Sequence, residues 1–313
     1  MTDAFVFPGQ GSQAVGMGRD LAAAFGCARE VFQEIDEALG QNLSRLMFEG
    51  PDTDLTLTEN AQPALMAMSL AVVRILEKEG KLAIADRARF VAGHSLGEYS
   101  ALTAAGSLPL GIAAKLLRTR GQAMQKAVPV GEGAMAALVG ADLAQAEAIA
   151  KDAAQGEVCE AANDNAPDQV VISGARAAIE RALGIAKERG VKRAILLPVS
   201  APFHSSLMAP AARAMEEALA AAPVATPNVP LIANVTARPA TEPNQIRELL
   251  VKQVTGRVRW RESMLAMKEA GVTRIVELGA GKVLAGLAKR IDRDLNAVSV
   301  GGPADIEAFL KTV

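Results

Sequence analysis

An α/β protein carrying a small subdomain inserted into a larger one is the fold class this sequence predicts, on three observations. Short apolar runs alternate with longer helical patterns almost from end to end, the mark of mixed α/β architecture. Between about residues 131 and 200 the elements follow the order β-α-β-β-α-β, the split pattern of ferredoxin-like folds. Beyond residue 200 the longer α/β pattern resumes. The expected division is therefore a large subdomain from 1–130 and 201–313 and a small one from 131–200.

The elements follow in order. "AFVF" (4–7) reads as a short buried strand that ends at Pro8-Gly9, and residues 61–79 as a largely buried helix stopped by Gly80. "RFVAG" (89–93) is a second strand. Residues 108–127 form a helix with Pro109 in its first turn, where proline is tolerated. In the insert, "AMAALVG", "EVCEAAN", "QVVISG" and "RAILLPV" read as strands, with helices at 142–154 and 175–189. A helix from about 207, a strand at 230–234, helices at 243–253 and 260–270, a strand at 274–279 and a terminal helix at 303–311 complete the chain.

Composition bounds the function. Of 313 residues half are hydrophobic and 22% are charged, which suits a globular protein and not a disordered one. A formal net charge of −2 gives no case for nucleic acid or an anionic membrane as partner. No secretory signal and no run of 18 apolar residues is present, so a cytoplasmic protein with no membrane span is expected. Cys27 and Cys159 lie far apart, fit no metal spacing and suit a reducing compartment.

The chemistry concentrates in "FVAGHSLGEYSALTAAG" (90–106). Gly93-His94-Ser95-Leu96-Gly97 matches G-x-S-x-G with a strand before it and a helix after it, the setting of a nucleophile elbow. Ser95 with Glu98 also fits an S-x-x-E capping box, and the two readings are compatible. A serine nucleophile needs a base, and the chain has two histidines. His94 adjoins Ser95 on a tight turn, where neighbouring side chains diverge, so a structural hydrogen bond behind the elbow suits it better. His204, in the loop "SAPFHSSLMAP", is the candidate base. No Asp or Glu lies within five residues of it, so its Nδ1–H partner is either a distant carboxylate or a backbone carbonyl.

Arg120 falls among the apolar positions of the 108–127 helix, with Ile112, Leu116, Ala123, Met124 and Ala127, and no carboxylate meets it along the helix. A buried guanidinium needs an anion: a carboxylate from another helix, or that of a substrate. Gln10, between glycines at the end of the first strand, can supply a backbone N–H to an oxyanion hole with that of Leu96. Ser12 lacks the strand–elbow–helix setting. "GAGKVLAG" (279–286) fails the phosphate-loop patterns, for no Ser or Thr follows Lys282, and reads as a strand-to-helix turn.

Together "FVFPGQGSQ", "TENAQPAL", "AGHSLGEYSAL", "TRGQAMQ", "GAMAALVG", "NDNAPDQVVISG", "LPVSAPFHSSLM" and "ELGAGKVLAGL", in this order over nearly the whole chain, resemble the malonyl-CoA:acyl carrier protein transacylase family of fatty-acid synthesis. The resemblance implies an α/β-hydrolase-like large subdomain around the ferredoxin-like insert, with the site between them. It implies Ser95 as acylated nucleophile, His204 as base, Arg120 as the malonyl carboxylate clamp, and Gln10 and Leu96 as oxyanion donors. Through "KQVTGRVRW" it assigns the backbone carbonyl that orients the histidine to Gln253. Phe203 resembles the aromatic that crowds a C2 methyl in related polyketide acyltransferases; ordinary packing beside the site is its other reading.

The implied reaction moves malonyl from malonyl-CoA through Ser95 to the phosphopantetheine thiol of an acyl carrier protein, with no bound cofactor or metal. A Ser/His hydrolase, a polyketide-pathway acyltransferase and a non-enzymatic carrier-binding subunit are the alternatives. An acidic carrier would need a local basic patch, for which Lys192/Arg193, Arg257/Arg259/Arg261 and Lys289/Arg290 are candidates.

Overall fold

A computed structural model describes residues 2–313. Its larger sheet has six strands, in the order β10-β9-β1-β2-β7-β8: β1 Asp3–Phe7, β2 Ala88–Gly93, β7 Leu231–Ala233, β8 Arg238–Ala240, β9 Arg274–Leu278 and β10 Asn296–Val300. All neighbours run parallel except β7 and β8, which form an antiparallel edge. The smaller sheet is antiparallel, in the order β4-β5-β3-β6: β3 Gly133–Val139, β4 Cys159–Ala166, β5 Gln169–Ala175 and β6 Arg193–Leu196. Helices Leu143–Ala154 and Arg176–Glu188 follow β3 and β5, which is the expected split β-α-β-β-α-β unit.

The inner strands of both sheets are buried on two faces, and the side-chain alternation says against what. In β1, Phe5 and Phe7 join the main core, while Ala4 and Val6 join a second core with Trp260, Met264 and Leu287 on the other side of the sheet. In β3, Ala134, Ala136 and Leu138 pack on the two helices of the small unit, whereas Met135 and Ala137 face the main core. The small sheet thus turns one face toward the large unit. The two are stitched at Val258, whose N–H donates to Ala162 O and whose carbonyl accepts from Asp164 N, 2.8 and 2.9 Å. Arg261 pairs there with the fully buried Asp164 carboxylate at 2.9 Å.

Three local expectations shift. Pro109 is the extended N-cap of the helix Leu110–Ala127 and not part of its first turn. The buried face of that helix is centred on Ala113, Leu117, Arg120, Gly121 and Met124, with Ile112, Ala123 and Ala127 at its margins. The closing strand stops at Leu196, so that Leu197, Pro198 and Val199 are released to line a cavity. Four helices between 19 and 56, and strands β8 and β10, have no counterpart in the sequence reading. Helix Gly26–Leu39 buries Ala28, Val31, Phe32 and Ile35, a periodic stripe that was available.

The crossing of helix Thr58–Lys78 with helix Leu110–Ala127 sets the depth of the site. Pro63 has no N–H, so the Glu59 carbonyl one turn earlier lacks its helical donor. Arg118 Nε donates into it at 2.8 Å. Gly121 lies so close to this turn that a Cβ on it would come within 2.5 Å of Glu59 Cα. The close approach brings Gln62 against Arg120.

Candidate active site

The sharp turn after β2 holds Ser95 with φ of +54°, a left-handed conformation a serine adopts only when its surroundings impose it. Glycines make the turn possible. A Cβ on Gly93 would lie 1.9 Å from the Gly97 carbonyl, and one on Gly97 would lie 2.3 Å from Phe7 O. Asn234, just past β7, clamps the turn from the side. Its Oδ1 accepts from Ser95 N at 2.8 Å and its Nδ2 donates to Gly93 O at 2.7 Å. The capping box does not form: Ser95 Oγ and the Glu98 carboxyl both bond elsewhere, and the helix Gly97–Ala104 has no side-chain cap.

Ser95 Oγ lies 2.8 Å from His204 Nε2. His204 is also held with positive φ, +57°, and is buried. Its Nδ1 faces two acceptors, Gln253 O at 2.9 Å and Gly256 O at 3.1 Å. Carbonyls only accept, so the ring proton resides on Nδ1, and Nε2 carries the lone pair that receives the Ser95 hydroxyl. Burial, and then the Arg120 charge, push the imidazole pKa down to about 3, while the two carbonyls pull it up. This imidazole is neutral in its resting state. His94 bonds elsewhere than to Ser95 Oγ: its Nε2–H donates to Asn165 Oδ1 on β4 at 2.8 Å, and it too lines the cavity described below.

Arg120 is 1% exposed. Its Nη1 donates to Gln62 Oε1 at 2.8 Å, and its Nη2 to Gln253 Oε1 at 2.8 Å and Ser95 Oγ at 3.1 Å. These partners are neutral, and Nε has none among the described residues. Nε–H, itself sealed from solvent, and one Nη1–H are therefore unspent donors on a buried cation whose side chain lines the cavity described next.

Gln10, Leu96, Ser95, Arg120, Phe203 and His204 line one cavity of about 530 Å³, with Met135 and Asn163 from the small sheet and Leu197, Pro198 and Val199 beyond it. The N–H groups of Gln10 and Leu96 donate to no acceptor among the described residues. Gln253 supports the cavity from behind with both its main chain and its side chain. The site sits at the carboxyl ends of β1, β2 and β7, as parallel sheets arrange it.

Gln62, Asn234, Asn165 and Gly256 had no sequence signal marking them as site residues; only the packing of separate elements brings them in. In "GAGKVLAG", the amides of Leu284 and Ala285 are bonded by the Glu277 carboxylate at 3.0 and 2.9 Å, filling the place a phosphate would need. Of the basic candidates, Arg257, Arg259 and Arg261 each pair with a carboxylate (Glu147, Glu262 and Asp164), and Arg290 pairs with Asp168.

Comparison with known proteins gives concordant matches. The family model described as acyl transferase domain matches residues 4–299. A Bacillus subtilis (strain 168) protein named malonyl CoA-acyl carrier protein transacylase is 46% identical over 99% of this chain and 96% of its own length. The Escherichia coli (strain K12) protein of the same name is 44% identical over 98% of each. Among solved structures, an acyl-carrier-protein-S-malonyltransferase from Bartonella henselae superposes with a TM-score of 0.97 at 55% identity, covering 100% of this chain and 99% of that one. A malonyl-transacylase solved in complex with its type II PKS acyl-carrier protein superposes with a TM-score of 0.97 at 40% identity, covering 100% of both chains.

Proposed function

This chain belongs to the acyl transferase domain family, and from that premise we propose that it transfers malonyl from malonyl-CoA to the phosphopantetheine thiol of an acyl carrier protein, through a malonyl ester on Ser95. The observation that carries the reading is a nucleophile–base pair 2.8 Å apart beside a buried arginine with unspent donors in the same cavity.

The residues act as follows. The malonyl carboxylate engages Arg120, which aims the thioester carbonyl at Ser95 Oγ. His204 Nε2 takes the hydroxyl proton as Oγ bonds to the carbonyl carbon, and the oxyanion receives the N–H groups of Gln10 and Leu96. The Gln253 and Gly256 carbonyls hold the imidazolium that forms. Collapse breaks the C–S bond, and the His204 proton goes to the departing CoA thiolate. In the second half the carrier's thiol gives its proton to His204 and attacks the ester, and Ser95 recovers the proton as it leaves. Phe203, on the cavity wall, crowds a C2 methyl and so favours malonyl over branched analogues. No bound cofactor enters these steps.

The division into 1–130 with 201–313 and 131–200 is part of the proposal, as is a cytoplasmic setting, which suits two free cysteines. Among the described residues no helix is long and apolar enough to cross a membrane. The neighbour solved with a type II PKS carrier favours a second reading, in which the acceptor belongs to polyketide synthesis.

The test is intact mass after mixing with malonyl-CoA, without carrier. A malonyl adduct on the native protein, absent from Ser95→Ala and weak with acetyl-CoA, is expected. Turnover to free malonate with no adduct would mean a hydrolase. Leaving the Arg120 charge unmatched by an acetyl group costs about 2–5 kcal/mol, roughly a 30- to 3,000-fold preference at about 1.4 kcal/mol per decade.

A further inference from the structure

Glu98 is a buried carboxyl that the chemistry above leaves unused. It stands in the first turn of helix Gly97–Ala104 and is 1% exposed. Its Oε2 accepts from Gln253 Nε2 at 2.5 Å, and its Oε1 has no partner among the described residues. The Gln253 carboxamide is gripped at both ends, for Nε2 also donates to Ser95 O at 2.9 Å while Oε1 accepts from Arg120 Nη2 at 2.8 Å. An arginine only donates and an ionised carboxylate only accepts, so the amide between them has a single allowed orientation. Arg120 and Glu98 feel each other's charge across this one side chain. Burial raises the Glu98 carboxyl to about 7, against the pull of Gln253, the Asn234 backbone N–H and Arg120.

We propose that Glu98 is the resting counter-charge of Arg120, relayed through the Gln253 carboxamide, and that it takes up a proton from solvent when a substrate carboxylate engages the arginine. The inference rests on the malonyl reading above. Before substrate engages, the ionised Glu98 and Arg120 offset each other through the Gln253 carboxamide. A malonyl carboxylate on Arg120 adds a second anion, and protonating Glu98 restores the balance that burial demands. The other groups packed here do not compete at neutral pH. Burial keeps the Tyr99 hydroxyl on the same helix protonated, His204 is neutral, and Ser95, Gln253 and Asn234 carry no charge.

The test compares kcat/KM for acylation by malonyl-CoA and by acetyl-CoA from pH 6 to 9, in the native protein and in Glu98→Gln. The CoA portion is common to both, so its ionisation cancels in the ratio. The native malonyl/acetyl ratio should fall above pH 7 by up to about tenfold per unit, and the Glu98→Gln ratio should stay flat. A flat native ratio, or a Glu98→Gln ratio that falls as the native one does, overturns the proposal. A measurement independent of any change at 98 uses the unreactive Ser95→Ala protein, titrated calorimetrically at pH 8 in buffers of different ionisation enthalpy. Malonyl-CoA should take up a fraction of a proton that acetyl-CoA does not; equal uptake contradicts the inference. A native protein that forms no malonyl adduct would overturn the proposed function and this inference with it, whereas normal malonylation with a flat ratio overturns the inference alone.

Discussion

At the scale of single residues, the candidate site is built from a few polar groups whose partners the fold fixes in advance. His204 meets two carbonyls at Nδ1 and a hydroxyl at Nε2, so its tautomer is determined before substrate arrives. The chain holds two histidines, both with pKa lowered first by burial. The His204 imidazole resonances of the native protein should therefore show no titration near pH 6.5; a midpoint there would contradict the geometry. The same shift bears on stability. An unfolded His204 binds a proton below about pH 6.5 and the folded one does so only near 3, so its contribution to stability is lost as pH falls through that window. Glu98 acts in the opposite direction: its folded pKa near 7 lies above the ordinary carboxyl value of 4.5, so its contribution declines as pH rises between them. Hence the urea midpoint of Glu98→Gln, relative to the native protein, should climb from pH 4.5 to 7.

Ser95, His204 and Arg120 were legible in the sequence because each combined a local pattern with scarcity or misplacement: a glycine-framed serine, one of two histidines, a cation on an apolar stripe. Asn234 was not, since an asparagine after a short strand is unremarkable until the fold sets it beside the elbow. Replacing Asn234 with Ala leaves Ser95 N–H and Gly93 C=O without their partners. A loss of about 1–3 kcal/mol per unsatisfied group is expected, with slower Ser95 acylation measured at saturating malonyl-CoA. An unchanged acylation rate would show that the strained turn holds without the clamp.

At the scale of elements, the depth of the Arg120 pocket depends on how closely two helices approach. Pro63 exposes a carbonyl, Arg118 fills it, and Gly121 lets the backbones meet. Gly121→Ala forces a Cβ into Glu59 and should cost about 1–3 kcal/mol through overpacking. It should also displace Arg120 from Gln62, so the malonyl preference over acetyl should fall along with the denaturant midpoint. A lower midpoint with the preference intact would separate the crossing from the clamp. Sequence periodicity marked both helices but not their pairing, because a glycine at a crossing looks like any other helical glycine. The polar frame also tempers the selectivity expected from Arg120 alone. With acetyl bound the arginine still keeps Gln62, Gln253 and the field of Glu98, which favours the lower part of the predicted range.

At the scale of the molecule, the cavity exists because a ferredoxin-like unit is laid against the carboxyl ends of a parallel sheet. Its β-α-β-β-α-β order was readable from the alternation of runs, and the alternation within β3 then dictates that Met135 faces the large unit while Leu138 faces its own helices. What periodicity lacks is the seam between the units. Val258 and the Arg261–Asp164 pair are separated in sequence by about a third of the chain, and neither belongs to a local motif. The edge strands β8 and β10 were missed for a related reason, being short segments whose pairing partners lie elsewhere in the chain.

The proposed function requires the acyl group to wait on Ser95 for a thiol and not for water. The most direct measurement isolates the malonyl-enzyme and mixes it with a phosphopantetheinylated acyl carrier protein, the unmodified carrier, or buffer alone, following both masses with time. Rapid gain of one malonyl group by the modified carrier is expected, with matching loss from the enzyme and a persistent adduct in the other two mixtures. Decay of the adduct to free malonate at one rate in all three mixtures would contradict the proposed function.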